Sequence, residues 1–136
     1  MAYEFTKELE TGNALIDSQH RQLIEAINRL LEACGQGKGR AHIKETMDFL
    51  QQYTAKHFAD EEALQLKYEY PDYVSHKNYH EWFKKTVKEL AGELEEMGPT
   101  VVMVGKVNAS IAGWLVNHIR REDTKVAAHI RQKSGE

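Results

Sequence analysis

Four long stretches of this 136-residue chain repeat apolar side chains every three or four residues, and this spacing constrains the fold more than any other feature. An α-helix returns to the same face at that interval, so each stretch predicts a helix with one apolar stripe. The predicted helices cover about 17–34, 40–67, 72–97 and 100–118. Residues that commonly end helices separate them, namely Gly35, Gly37, Gly39, Pro71, Gly98 and Pro99.

The connections between the predicted helices are short, and short connections make sequential helices antiparallel neighbours. We therefore predict an all-α fold, an up-down-up-down antiparallel four-helix bundle that forms a single domain over 1–136. Residues 1–12 lack periodicity and are expected to form an extended N-terminal arm, whereas an amphipathic stretch at about 123–132 predicts a short C-terminal helix. Asp72 and Thr100 are the expected N-caps of the third and fourth helices.

The composition excludes several classes of function. The formal net charge is −3 and the basic residues are scattered, so no basic patch indicates nucleic-acid binding. No apolar run reaches the roughly 18 residues of a membrane-spanning helix, and the N-terminus does not resemble a signal peptide. The single cysteine, Cys34, is expected to pack as a small apolar residue. These features together predict a cytoplasmic protein.

Polar residues interrupt the apolar stripes at positions where a plain bundle would carry Leu or Val. Two pairs on the second and third helices are four residues apart, so each pair lies on one helical face. Asp123 lies five residues after His118, and an unbroken helix would rotate it away, so the helix is expected to kink or widen there. The interrupting residues are His20, His57, Glu61, His76, His80, His118 and Asp123.

These seven side chains are expected to meet in one layer, because an antiparallel bundle brings their positions to the same level. Left unpaired in a core, each would cost about 2–7 kcal/mol. A hydrogen-bonded network could neutralise some of them, but five bases with two acids are an unusual mixture for that. Metal coordination satisfies all seven. His42 and His129 do not fit the pattern and are interpreted as ordinary surface or packing residues.

Five imidazoles and two carboxylates offer more donors than one tetrahedral zinc ion accepts, and they suit a dinuclear site better. A nitrogen-rich set with bridging carboxylates favours iron. If both carboxylates and one solvent oxygen bridge, about eleven of the roughly twelve positions around two six-coordinate irons are filled. One position then stays open, which dioxygen binding requires.

The motifs resemble those of bacterial hemerythrins over essentially the whole chain. The resemblance rests on Thr11-Gly12, Ile16-Asp17, Gln19-His20, His57-Phe58, Glu61-Glu62, Tyr70-Pro71, His76 with His80, Trp114-Leu115, His118-Ile119 and Asp123 with Lys125. It implies two iron ions in an oxo- or hydroxo-bridged centre that binds dioxygen reversibly, as a carrier, store or sensor.

The resemblance also implies a role for each site residue. His76, His80 and His118 would bind one iron, and His20 and His57 would bind the other, which keeps the open position. Glu61 and Asp123 would bridge the two ions. The apolar wall of the oxygen pocket would comprise Phe58, Trp114, Leu115 and Ile119.

The chain departs from the family pattern in its N-terminal arm and after the second helix. Phe5 stands where many bacterial members carry tryptophan, Gln65-Leu66 replaces a common apolar pair, and Glu69 replaces a frequent glycine. None of these residues is a predicted ligand. The departures therefore concern the access route to the pocket and the autoxidation rate, and not the metal centre.

Two other functions compete with dioxygen binding. A di-iron enzyme could act on dioxygen, peroxide or nitric oxide at the same centre, but carboxylate-rich oxidases use Glu-x-x-His pairs, and this sequence contains none. The third possibility is a metal-storage or purely structural bundle. We expect a protein that is not an enzyme and whose partner is dioxygen.

Overall fold

The structure, a computed structural model, describes residues 3–35 and 40–135, apart from the side chains of 40–42. It contains the long helices α1 (Ala14–Gly35), α2 (Arg40–Lys67) and α3 (Tyr73–Met97), and a fourth, α4, over 101–134. Sequential helices pack together and α4 packs back on α1, which closes the bundle. The predicted all-α four-helix fold is confirmed, and no strand occurs in the described residues. Gly37, Gly39 and the His42 side chain lie outside the description.

Helix α4 is continuous but changes pitch twice. Regular segments at Val101–Val107, Trp114–His118 and Thr124–Ser134 are joined by π-helical turns at Asn108–Gly113 and Ile119–Asp123. A π turn accommodates one more residue than an α turn, so it widens the helix locally. The expected widening after His118 is therefore present, and the predicted short C-terminal helix is the last segment of α4.

The N-terminal arm is fixed to the start of α1 by one carboxylate. Asp17 accepts hydrogen bonds from Thr11 N at 2.9 Å, from Thr11 Oγ1 at 2.7 Å and from Gly12 N at 3.2 Å. Gly12 has a φ of 88°, a left-handed conformation that glycine adopts without strain. Arg131 of α4 donates a hydrogen bond to Thr11 O. The arm is thus joined to the start of α1 through Asp17 and to the last segment of α4 through Arg131.

The two predicted N-caps differ in their hydrogen bonding. Thr100 accepts a hydrogen bond from Met103 N through its side chain, as expected for the start of α4. Asp72 precedes α3 as predicted, but its side chain makes no capping hydrogen bond.

The apolar core is divided into two clusters along the bundle. The larger cluster contains residues such as Leu23 and Ile119, and the smaller one comprises Ile16, Tyr70, Val126 and Ile130. On α1, His20 lies between Ile16 and Leu23, and on α4, Asp123 lies between Ile119 and Val126. The polar residues therefore form a layer between two apolar clusters. Cys34 packs in the larger cluster, as expected.

Glu69 is the only described non-glycine residue with a positive φ, at 54°. The conformation explains why a glycine suits this position, since a Cβ in the left-handed region costs roughly 1–2 kcal/mol. Its side chain is 82% exposed and lies 4.0 Å from Lys133 Nζ, and such a surface pair contributes little.

We expect Glu69→Gly to raise the free energy of unfolding by about 0.5–1 kcal/mol, because relief of strain exceeds the greater flexibility of the unfolded chain. Urea unfolding of the metal-free protein measures the change. Ala63→Gly, at an exposed position inside α2, is the control and should lower stability by about 1 kcal/mol. A loss of stability in both variants would contradict the assignment of strain to Glu69.

Candidate metal centre

All seven side chains predicted from the stripe interruptions meet in one buried layer. Their exposure ranges from 0% to 5%, and His118 is the most exposed. Helix α1 supplies one of them, α2 and α3 supply two each, and α4 supplies the last two, of which Asp123 reaches the layer through the π turn at Ile119–Asp123. Every imidazole directs Nε2 into the cluster.

The layer contains two adjacent groups of possible ligand atoms that share both carboxylates. Within each group, one candidate atom from every residue lies within 4.8 Å of the others. The first group comprises Glu61, His76, His80, His118 and Asp123, and the second comprises His20, His57, Glu61 and Asp123.

Each carboxylate directs one oxygen toward each group. Glu61 Oε1 lies 2.6 Å from His76 Nε2, whereas Oε2 lies 3.5 Å from His57 Nε2. Asp123 Oδ1 lies 3.2 Å from both His76 Nε2 and His118 Nε2, whereas Oδ2 lies 2.8 Å from His20 Nε2. This arrangement is suited to carboxylates that bridge two ions.

Hydrogen bonds fix the tautomers of two imidazoles. His57 Nδ1 lies 2.7 Å from Gln19 Oε1, and Gln19 Nε2 donates to Asp60 Oδ2 at 2.8 Å. Because an amide oxygen only accepts, His57 must carry its proton on Nδ1. His80 Nδ1 donates to Glu62 Oε2 at 2.9 Å in the same way. Both Nε2 lone pairs are left for a metal, as is usual for metal-binding histidines.

Burial and the carboxylates shift the pKa values of the layer in opposite directions. Burial lowers the pKa of His57 to about 4. Burial also disfavours the charged form of His76, but hydrogen bonds to Asp123 and Glu61 outweigh it and raise its pKa to about 10. Burial would raise the pKa of Asp123, yet the charge and hydrogen bonds of His118, His20 and His76 hold it well below its usual range.

Several buried atoms of the layer have no hydrogen-bond partner among the described residues. They include His57 Nε2 and Glu61 Oε2, which face the group that contains His20 and His57. His118 Nε2 lies 3.2 Å from His76 Nε2 and 3.3 Å from His80 Nε2. Nitrogen ligands at right angles and about 2.1 Å from one ion are about 3 Å apart. The donor set therefore fits two metal ions.

Aromatic and aliphatic side chains enclose the layer on the side of the larger apolar cluster. The Phe58 ring stacks on His80 at a centroid distance of 3.7 Å, and the Trp114 ring stacks on His118 at 4.7 Å. Leu115 and Ile119 are buried in the same cluster. Phe58, Leu115 and Ile119 thus lie in the core, whereas Trp114 is half-buried, packs against this core and contacts His118 of the first group.

Helical periodicity does not predict a role for several polar residues around the layer. Gln19 and Glu62 belong to the sequence motifs only as neighbours of His20 and Glu61, although that adjacency places them at the edge of the inner face. Tyr70 also faces the layer, and burial together with Asp72 and other carboxylates raises its pKa to about 12. His129, interpreted as a packing residue, is half-buried with Nε2 2.7 Å from Tyr68 O.

The raised pKa of His76 predicts how the stability of the metal-free protein depends on pH. Protonated His76 stabilises the fold below its ordinary pKa of 6.5, and this contribution is lost as the pH rises through about 10. Between about pH 6 and about pH 10, the unfolding free energy should therefore fall more steeply for the wild type than for His76→Gln. Equal slopes in the two proteins would contradict this assignment.

Comparisons with known proteins identify the family of this chain. The Hemerythrin HHE cation binding domain family matches residues 11–130. Bacteriohemerythrins of Pseudomonas aeruginosa (strain LESB58) and Stenotrophomonas maltophilia (strain R551-3) are each 35% identical to the chain. The alignments cover 95% and 92% of this chain and 82% of each relative.

A solved structure has the same fold. The wild-type crystal structure of a hemerythrin superposes with a TM-score of 0.84 at 26% identity, covering 96% of this chain and 98% of the other. None of the described helices combines the length and apolar character needed to cross a membrane. On the family match and the identity to its relatives, the chain belongs to the hemerythrin family.

Proposed function

We propose that the protein binds dioxygen reversibly at a non-haem di-iron centre in the buried polar layer. The observation that carries this proposal is the pair of ligand groups that share Glu61 and Asp123. Two joined groups favour a dinuclear site over a single zinc ion. The relatives named bacteriohemerythrin and the family membership support iron as the metal and dioxygen as the ligand.

The two groups differ in the number of imidazoles that they offer. His76, His80 and His118 would hold one iron, and His20 and His57 would hold the other, with Glu61 and Asp123 shared. The group with fewer nitrogen donors would keep the open coordination position. When bound, the iron pair supplies the redox chemistry and the position at which dioxygen is taken up and released.

The protein's own residues would prepare and protect that position. Gln19 and Glu62 hold protons on the Nδ1 atoms of His57 and His80, so their Nε2 atoms stay directed inward. Buried apolar side chains such as Ile119, which is 0% exposed, keep water from the layer. Exclusion of water and protons suppresses loss of reduced oxygen species, which favours reversible binding over turnover.

The first experiment is to load the metal-free protein with iron under anaerobic conditions and expose it to dioxygen. We expect two irons per chain, charge-transfer bands of an oxo-bridged diferric centre in air-oxidised protein, and reversible colour in the reduced protein with dioxygen. One iron per chain, or a preference for zinc, would contradict the proposal, and steady turnover of peroxide or nitric oxide would favour an enzyme.

Glu61→Ala should abolish two-iron loading, because it removes the carboxylate shared by both groups. Metal analysis of iron per chain measures the loss. Glu45→Ala is the matched control, since it removes an exposed carboxylate from the same helix and should still load two irons. His42→Ala is also expected to load normally. A Glu61→Ala protein with two irons would show that Glu61 does not bridge.

Ile119→Thr should accelerate autoxidation of the dioxygen-bound protein several-fold, because a hydroxyl in the apolar wall gives water a hydrogen-bonding partner. The absorbance decay of the bound form measures the rate. Val116→Thr, which introduces the same hydroxyl at a half-buried position of α4, is the control and should decay like the wild type. Equal rates in both variants would exclude Ile119 from the pocket wall.

A further inference from the structure

Gln65 is a fully buried amide beside the candidate metal centre. It lies one helical turn beyond Glu61 on α2, and its side chain is 0% exposed. Its Nε2 donates a long hydrogen bond to Glu61 Oε1 at 3.4 Å. Its Oε1 is buried and has no hydrogen-bond partner among the described residues. A buried carbonyl of this kind requires an explanation, because leaving a buried acceptor without a hydrogen bond destabilises the fold.

His76 carries the complementary unpaired atom. Its Nε2 faces the layer, 2.6 Å from the same Glu61 Oε1, so Nδ1 is the remote nitrogen of a candidate ligand. With Nε2 bound to a metal, Nδ1 carries a proton and needs an acceptor. His57 and His80 have such acceptors in Gln19 and Glu62, but His76 Nδ1 is buried without one in the described part of the chain.

Gln65 and His76 both approach Glu61 Oε1 through Nε2, and each leaves its other polar side-chain atom unpaired among the described residues. We propose that a buried water accepts a hydrogen bond from His76 Nδ1 and donates one to Gln65 Oε1. Buried waters characteristically join polar groups that the protein leaves unsatisfied. Gln65 would then be a positioning residue that orients two candidate ligands, Glu61 directly and His76 through the water. The inference rests on the proposed function, because it takes His76 as a metal ligand.

This role predicts that one substitution affects metal binding much more than folding. Gln65→Met keeps the side-chain length but removes both polar ends. In the metal-free protein it removes the acceptor of the water but adds apolar contacts in the core, so the melting temperature should change little. In metal binding it removes the support of two ligands, and loss of such support typically weakens affinity about 10–100-fold.

The experiment titrates the metal-free wild type and Gln65→Met with Co²⁺ and follows the ligand-field absorption. We expect the dissociation constant to increase at least about 10-fold, with little change in the melting temperature of the metal-free variant. A crystal structure of the wild type should show a water within hydrogen-bonding distance of both Gln65 Oε1 and His76 Nδ1. The Met variant should lack this water.

Thr54→Val is the matched control on α2. Thr54 is also buried, but its hydroxyl is satisfied by Leu50 O at 2.6 Å. The substitution should lower the melting temperature of the metal-free protein and leave Co²⁺ affinity unchanged. Unchanged affinity in Gln65→Met, a parallel loss of its stability, or the lack of a bridging water in the wild type would each overturn the inference.

The same measurements separate this inference from the proposed function. If the wild type loads two irons and binds dioxygen but Gln65→Met binds Co²⁺ normally, only the positioning role is wrong. If the wild type fails to load two irons, the proposed function is wrong, and the crystallographic test of the water still decides whether Gln65 and His76 are joined.

Discussion

The interaction on which the structure depends is the pairing of buried carboxylates with buried imidazoles in one layer of the bundle. Taking an ionised carboxylate out of water is costly unless charges and hydrogen bonds surround it. Glu61 and Asp123 are both 1% exposed, and each lies between imidazoles from different helices. The layer therefore couples all four helices through polar contacts, while the apolar clusters on either side supply the burial that strengthens those contacts.

The same pairing prepares the metal-free protein for its ligand. The two carboxylates raise the pKa of His76 against the effect of burial, so they favour a proton at the place where the donor set suits a cation. Metal uptake would exchange that proton for a metal ion, which makes affinity depend on pH.

Much of this could be predicted from the sequence, because helical periodicity and interruptions of it are local signals. The four helices and the convergence of seven polar residues follow from the spacing of apolar and polar positions. The roles of Gln19 and Glu62 could not be assigned that way. Gln19 contacts His57 and Glu62 contacts His80, and each of these hydrogen bonds joins two different helices. The stacking of Trp114 on His118 likewise depends on α4 geometry that periodicity does not reveal.

The π turn at Ile119–Asp123 has a consequence for how this chain can vary in evolution. The turn sets the direction in which Asp123 faces around the axis of α4. It also sets the direction of the residues after it, including Val126 and Ile130 in the smaller apolar cluster. A single inserted or deleted residue here would turn a candidate ligand and a packing face together. Loops between helices tolerate changes of length, whereas the distance from His118 to Val126 should be fixed among functional descendants.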